Sequence, residues 1–180
     1  VPLIVYDPRR GADATRGHVE EQLVESIDVL PTVLDAFGLA AQPHLLEGRS
    51  LQPLLHGEAV SWRDAAFSEM DYSFRASVRE AVGQPVDRCH GYMVRTARWK
   101  AVFFDDLRPQ LFDLENDPDE YHDLGADPAH AAVRETLLQN LFDWLRARKI
   151  HPTIDHDRMA GTSAREVAGG VLIGVWAREA

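Results

Sequence analysis

Alternating apolar and polar positions in the second half of the chain predict β-strands. The run from Tyr92 to Phe104 is rich in β-branched and aromatic residues, and its alternation places Tyr92, Val94 and Thr96 on one face and Met93 and Arg95 on the other. This pattern suits a pleated, half-buried surface. A shorter run of the same kind, Gln110 to Leu114, follows five intervening residues. The two runs therefore predict an antiparallel hairpin. Asp117-Pro118 then ends the sheet, because proline removes a backbone donor.

Helical spacing of apolar residues predicts three helices. The first rests on the positions Ile27, Leu30, Val33, Leu34 and Phe37. Ser26 or Asp28 can cap its start, and Gly38 suits its end. A shorter helix is expected within Ser50 to Gly57, with Ser50 as the cap. The third begins at Asp127-Pro128 and runs to Lys149, and we expect it to cover one face of the sheet. Its apolar stripe comprises Val133, Leu137, Leu138, Leu141, Phe142, Trp144 and Leu145.

The remaining segments carry weaker patterns. Val1 to Tyr6 is a continuous apolar run, which predicts a strand buried on both faces, as in α/β proteins. Because the chain opens inside such a strand, we expect it to be part of a longer protein. Ala65 to Glu69 predicts a short strand, whereas Met70 to Asp87 is polar and Ile150 to Arg165 lacks periodicity. The apolar run Val171 to Trp176 is expected to pack on this domain or on another subunit, which favours a homo-oligomer formed through the C-terminal tail.

Composition narrows the classes of partner. A chain of 180 residues can bury one sizeable core, and its formal net charge of −10 argues against nucleic acid or an anionic membrane as partner. No apolar run approaches the ~20 residues of a membrane span. The single cysteine, Cys89, excludes an internal disulfide and favours a reducing, cytoplasmic location.

Three motifs stand in a fixed order along the chain. They are Ile27-Asp28…Pro31-Thr32-Val33-Leu34…Gly38, then Gly48-Arg49-Ser50-Leu51…Pro53-Leu54-Leu55…Gly57, then Leu111-Phe112-Asp113-Leu114…Asp117-Pro118…Glu120…Leu124. Together they resemble the C-terminal third of the sulfatase family within the alkaline phosphatase superfamily. The run Tyr92 to Phe104 and the closing Ile173 to Trp176 resemble most the branch that contains phosphonate monoester hydrolases and related arylsulfatases.

The resemblance implies an α/β, alkaline phosphatase-like fragment. Residues 1–60 would form the C-terminal end of the large α/β catalytic domain, including its last strand and a helix. Residues 61–150 would form a small antiparallel-sheet subdomain packed on a C-terminal helix (α+β). Residues 151–180 would form a C-terminal extension that contacts other subunits.

The same resemblance implies a reaction whose main groups lie upstream. Members of the family use a formylglycine, made from the first residue of a Cys/Ser-x-Pro-x-Arg motif, as the nucleophile, together with a divalent metal held by aspartates and an Asp-His or Asp-Asn pair. Cys89 lacks the Pro and Arg of that motif, so we interpret it as a structural thiol. We therefore expect neither a catalytic residue nor a metal ligand in this chain.

Other candidate sites in the sequence are weak. Asp155-His156-Asp157 resembles a metal-binding pair but follows the last helix, where a solvated turn is expected. Asp113-x-Glu115-x-Asp117 resembles the start of a calcium loop, but Pro118 stands where such a loop needs glycine. Tyr72 and Arg75 are the candidates for the rim of a substrate pocket, because an arginine fork binds sulfate or phosphate oxygens. A solvated surface charge is the alternative interpretation of Arg75.

Two functions remain open from the sequence. The first is the C-terminal part of a metal-dependent hydrolase that cleaves a small anionic sulfate, phosphonate or phosphate ester and is inactive as an isolated fragment. The alternative is a non-catalytic interaction or scaffold module derived from the same fold. A weaker third idea is an independent metal-binding domain at Asp155 to Asp157.

Overall fold

The computed structural model describes residues 3–148 and 154–163. Its helices are α1 (Val29–Ala36), α2 (Gln52–Leu55), α3 (Ala76–Val82), α4 (Ala131–Ala147) and α5 (His156–Ser163). Its strands are β1 (Ala65–Asp71), β2 (His90–Thr96), β3 (Trp99–Phe104) and β4 (Gln110–Asp113). Short 3₁₀ turns cover Arg10–Thr15, Ser26–Asp28, Val86–Arg88 and Pro128–His130. The described residues contain no helix long and apolar enough to cross a membrane.

The four strands form one antiparallel sheet in the order β1-β2-β3-β4. The predicted hairpin is confirmed as the pair β3 and β4. The single strand predicted from Tyr92 to Phe104 is wrong, because β2 ends at Thr96 and β3 begins at Trp99. The Thr96 hydroxyl accepts the backbone N–H of Trp99 at 3.0 Å and stabilises a tight turn. Because strand-forming residues lie on both sides of this turn, the sequence pattern does not reveal it.

The core lies between this sheet and α4. Val94 of β2 faces Ala101 of β3, and Ala101 faces Leu111 of β4, so the register places all three fully buried residues in one row. Leu137 and Leu141 of α4 are buried, and α4 packs across β2 and β3. The predicted covering helix is therefore confirmed. Two members of its predicted stripe, Leu138 and Phe142, are exposed instead, because the face that contacts the sheet is narrower than the apolar face.

The start of the last helix also agrees with its prediction. The Asp127 carboxylate accepts the backbone N–H of Ala129 at 2.9 Å, and Pro128 lies in the first turn. The N-terminal cap before α1 differs from the predicted cap by Ser26 or Asp28 alone. Glu25 and Asp28 each accept the other's backbone N–H in a reciprocal capping box around the Ser26–Asp28 turn. Gly38 follows α1 with a φ of 70°, as glycine at a helix end allows.

The opening run does not form the predicted strand. Leu3 to Tyr6 pairs with no strand among the described residues, and Ile4 is 92% exposed. A strand buried on both faces needs neighbours, and the described chain provides only the antiparallel sheet, which does not include it. Val1 and Pro2 lie outside the described residues.

Two helices arise where no helix was predicted. Within Met70 to Asp87 the chain forms α3, which has no buried residue, so little apolar periodicity marked it. Within Ile150 to Arg165 it forms α5, His156–Ser163. The predicted contact through Val171 to Trp176 lies outside the described residues. The boundaries predicted at residues 60 and 150 stay predictions.

Candidate functional site

The two predicted rim residues are neighbours, but their environments differ. Tyr72 lies directly after β1, is 6% exposed, and packs its ring edge-on against Phe104 with 6.5 Å between ring centres. Burial raises the pKa of its phenol. The Tyr72 hydroxyl has no hydrogen-bond partner among the described residues. Arg75 is exposed, and its guanidinium lies 5.5 Å from the ring centre of Phe74. This geometry leaves Arg75 accessible to an anion and places the ring of Tyr72 in the interior.

A buried ion cluster centres on Asp28, whose side chain is fully buried. Arg63 binds both carboxylate oxygens of Asp28, at 2.5 and 2.6 Å, and also lies 3.2 Å from Glu25. Backbone N–H groups of Glu25 and Arg49 donate to the same carboxylate at 2.8 Å each. Burial alone would raise the pKa of Asp28, but Arg63 and the two N–H donors outweigh it and lower that pKa. Asp28 is therefore a structural anion rather than a general base.

The first two sequence motifs meet at this cluster. Thr32 donates its hydroxyl to the Asp28 carbonyl at 2.5 Å and accepts the backbone N–H of Leu51 at 2.9 Å. Ser50 donates to the Asp35 carboxylate at 2.6 Å. Gly48 passes so close to the backbone of Ile27 that a Cβ would lie 2.1 Å from the Ile27 carbonyl oxygen. The spacing of both motifs thus serves the packing of one segment on the other.

A second cluster holds the N-terminal segment on α2. The buried Asp7 carboxylate accepts the backbone N–H and the guanidinium of Arg9, and His56 Nε2 lies 3.1 Å from its Oδ2. Arg9 also donates to the Gln52 side chain. The Arg9 guanidinium lowers the pKa of Asp7 well below its ordinary value. An Asp-His pair fixed in this way by an arginine has a structural role, and Asp7 stays ionised at neutral pH.

The described residues contain no group of three or more His, Cys, Asp or Glu side chains that could hold a metal ion. Asp113, at the start of the rejected calcium loop, is bound by Arg98 at 2.7 and 3.0 Å, and this guanidinium lowers its pKa. Asp155 accepts the backbone N–H of Arg158 at 2.7 Å at the start of α5. These carboxylates are occupied by internal partners.

Cys89 is fully buried, and its Sγ lies 3.2 Å from the Pro85 carbonyl oxygen. This environment agrees with the interpretation of a structural thiol. Glu25 and Arg63 were missed by sequence reasoning, since neither belongs to a recognisable motif. The sequence offered one indication of a role for Arg63, namely that this charged residue lies two positions before the predicted strand at Ala65.

Comparisons with known proteins show the family of this chain. Residues 1–147 match the family described as N-sulphoglucosamine sulphohydrolase, C-terminal. The multifunctional alkaline phosphatase superfamily protein PehA of Trinickia caryophylli is 34% identical over 161 residues, covering 88% of this chain and 30% of PehA. Arylsulfatase K of Rattus norvegicus is 32% identical over 134 residues, covering 71% of this chain and 21% of that protein.

Solved structures show the same relationship. The phosphonate monoester hydrolase SpPMH from Silicibacter pomeroyi has a TM-score of 0.68 and 36% identity, covering 79% of this chain and 29% of that one. The phosphonate monoester hydrolase of Agrobacterium radiobacter has a TM-score of 0.63 and 35% identity, covering 73% of this chain and 26% of that one. The chain thus spans less than a third of the length of these relatives. Sequence and fold together show that this chain belongs to the N-sulphoglucosamine sulphohydrolase C-terminal family, the C-terminal portion of sulfatases in the alkaline phosphatase superfamily.

Proposed function

We propose that this chain is the C-terminal part of a hydrolase that cleaves sulfate esters or phosphonate and phosphate esters. The observation that carries the proposal is the family match over residues 1–147. It is supported by the 34% identity to PehA over a segment that makes up only 30% of PehA. On this proposal the nucleophile and the metal ligands lie outside the chain, and the isolated chain is catalytically silent.

The role of the described residues would be to support the catalytic part. Apolar side chains are exposed on the N-terminal segment and at α1 and its C-terminal end, among them Ile4, Tyr6, Leu30 and Phe37. A cleft of about 580 Å³ is lined by the segment Leu3 to Asp7, by residues 15–20 and by Leu54 and Leu55 of α2. Exposed apolar patches of this kind mark surfaces that bind other protein segments. We propose that the larger part of the hydrolase packs here, and that it supplies the neighbours that Leu3 to Tyr6 lacks.

The ion clusters would hold this surface in shape. Asp28 and Arg63 connect the turn before α1 to the residues just before β1, so this ion pair ties α1 to the start of the sheet. The divalent metal and the formylglycine implied by the family would supply Lewis-acid and nucleophilic chemistry to the whole hydrolase. The described residues offer no ligand set for that metal, so no step of the reaction is assigned to them.

The substrate would be a small anionic ester. One relative is named an ulvan-active sulfatase from Formosa agariphila, and two structural neighbours are named phosphonate monoester hydrolases. Arg75 could bind the anionic group of either ester class at the rim of the substrate pocket. This role of Arg75 stays a prediction. A cytoplasmic location and a homo-oligomer formed through the tail 171–176 are further parts of the proposal.

The test begins with the reading frame upstream of Val1. A frame that continues through a Cys-x-Pro-x-Arg motif should be expressed whole and assayed with an aryl sulfate and an aryl phosphonate, before and after metal chelation. We expect the whole product to hydrolyse at least one ester in a metal-dependent way and this chain alone to hydrolyse neither.

Two results would contradict the proposal. Turnover by the chain alone would place the reactive centre within it. A start codon next to Val1 would favour the scaffold module instead. Metal analysis of the purified chain tests the third idea, a site at Asp155 to Asp157.

A further inference from the structure

A second cleft, of about 290 Å³, lies between the turn at residues 25–27, the loop at 46–49, the start of β1 and the end of α4. Its volume is near the lower limit for small-molecule sites in proteins. Three arginines line it, Arg49, Arg63 and Arg148. The cleft joins segments that are distant in sequence, so its shape depends on the tertiary fold.

One wall of the cleft is apolar. Phe67 of β1 and Trp144 of α4 stack nearly parallel, with 4.9 Å between ring centres and an interplanar angle of 7°. Ala65 and Ala147 lie beside them and leave room because their side chains are small. This wall can accept a flat or aliphatic body of a ligand through dispersion and apolar burial.

The carboxylates at the cleft are already engaged. Glu25 accepts the backbone N–H of Phe67 at 2.7 Å with one oxygen and pairs with Arg63 through the other. Glu47 also has an interaction partner. Asp28 does not line the cleft, and its carboxylate accepts from Arg63 and two backbone donors. These groups leave little acceptor capacity for a cationic ligand.

Two of the arginines have guanidinium donors that make no hydrogen bond to the described residues. The side chain of Arg49 is exposed, makes no hydrogen bond or ion pair to the described residues, and has its guanidinium 5.9 Å from the ring centre of Trp62. Arg148 uses one nitrogen on Glu69, at 2.7 Å, and lies 5.2 Å from the ring centre of Trp144. The guanidinium of Arg63 is already bound to the carboxylates of Asp28 and Glu25. Unused guanidinium donors beside an apolar wall match the chemistry of an anion that carries an apolar body.

We propose that this cleft binds a small organic anion, with its sulfate, phosphonate or carboxylate group on Arg49 and Arg148 and its apolar body on the wall of Ala65, Phe67 and Ala147. The described residues that line this cleft all belong to this chain, and the proposal concerns binding alone, with no step of the reaction assigned to the cleft. It also differs from the predicted rim, since neither Tyr72 nor Arg75 lines it.

The experiment is calorimetric titration of the purified chain with phenylphosphonate, and in parallel with inorganic phosphate. We expect saturable binding of one phenylphosphonate per chain and weaker binding of inorganic phosphate, which has no apolar body. Arg49→Gln and Arg148→Gln should each weaken phenylphosphonate binding by about fivefold, less than a buried charge-assisted bond would give because both side chains are partly solvated.

Two variants distinguish binding in the cleft from non-specific attraction of the anion by positive charge. Arg146→Gln removes an exposed charge on the same helix whose guanidinium lies over Phe142, outside the cleft, and should leave binding unchanged. Ala147→Leu narrows the cleft without changing charge and should reduce phenylphosphonate binding. Absence of saturable binding, an equal loss in Arg146→Gln, or equal affinity for inorganic phosphate would overturn the proposal. Urea unfolding of each variant confirms that the fold is retained.

Discussion

Removing Arg63 should expose the energetic role of the buried ion cluster. In Arg63→Met the fully buried Asp28 carboxylate loses its two charge-assisted bonds and keeps only the backbone donors of Glu25 and Arg49. Leaving a buried charge without its partner costs about 3–5 kcal/mol. Because domains of this kind have only about 5–15 kcal/mol of stability, the loss is a large fraction of the total. For a chain of this size we expect the melting temperature to fall by roughly 6–20 °C.

The pH dependence of this loss tests its electrostatic origin. Folding lowers the pKa of Asp28 in the native chain, so its contribution is present above the unfolded pKa of about 3.9 and is lost as pH falls through the folded value. In Arg63→Met burial raises the Asp28 pKa instead, and protonation then relieves the unpaired charge. The stability difference between the two proteins should therefore shrink as the pH is lowered from 7 towards 4.

The assay is urea unfolding monitored by circular dichroism, at neutral and at acidic pH. Arg146→Met makes the same chemical change at an exposed position and should cost less than about 0.5 kcal/mol. Arg63→Lys keeps the charge but not the two-pronged contact, so its cost should lie between those of the two methionine variants. A loss in Arg63→Met no larger than in the Arg146 control, or one that grows on acidification, would refute the reasoning.

Three further changes probe other parts of the fold. Gly48→Ala should cost at least about 2 kcal/mol because its Cβ would lie 2.1 Å from a backbone carbonyl, whereas Gly161→Ala, with nothing within 4 Å, should be neutral or slightly stabilising in urea unfolding. Leu111→Ala, at a fully buried position, should cost about 2–5 kcal/mol in the same assay. Arg98→Gln should reduce the acid-induced loss of stability below about pH 4, because Asp113 then loses the partner that lowers its pKa; unfolding midpoints at several pH values measure this.

A specific result would contradict each of these three predictions. Equal effects of alanine at the two glycines would show that the backbone at residue 48 can move away. A cost for Leu111→Ala as small as that of Leu138→Ala, an exposed position on α4, would contradict the placement of the core under the sheet. An unchanged acid profile in Arg98→Gln would mean that Asp113 is held by other donors, such as Asn116.

The family relationship and several elements were predictable from the sequence, because their causes are local. Helical spacing predicts α1 and α4, Asp127-Pro128 predicts where the last helix begins, and alternation predicts the hairpin of β3 and β4. The β2–β3 turn, α3 and the state of Leu3 to Tyr6 were not predictable. A turn between two apolar strands leaves no break in the pattern, and an exposed helix needs no apolar stripe.

By itself the sequence determined which residues favour helix or strand, the order of the three motifs and, through them, the family. Only the tertiary structure decided that Asp28 and Arg63, separated by 34 intervening residues, form one buried ion pair, and that Arg49 and Arg148 share a cleft. The reason is physical: backbone preference and periodicity act over a few residues, whereas charge pairing and cavity shape depend on which distant segments pack together.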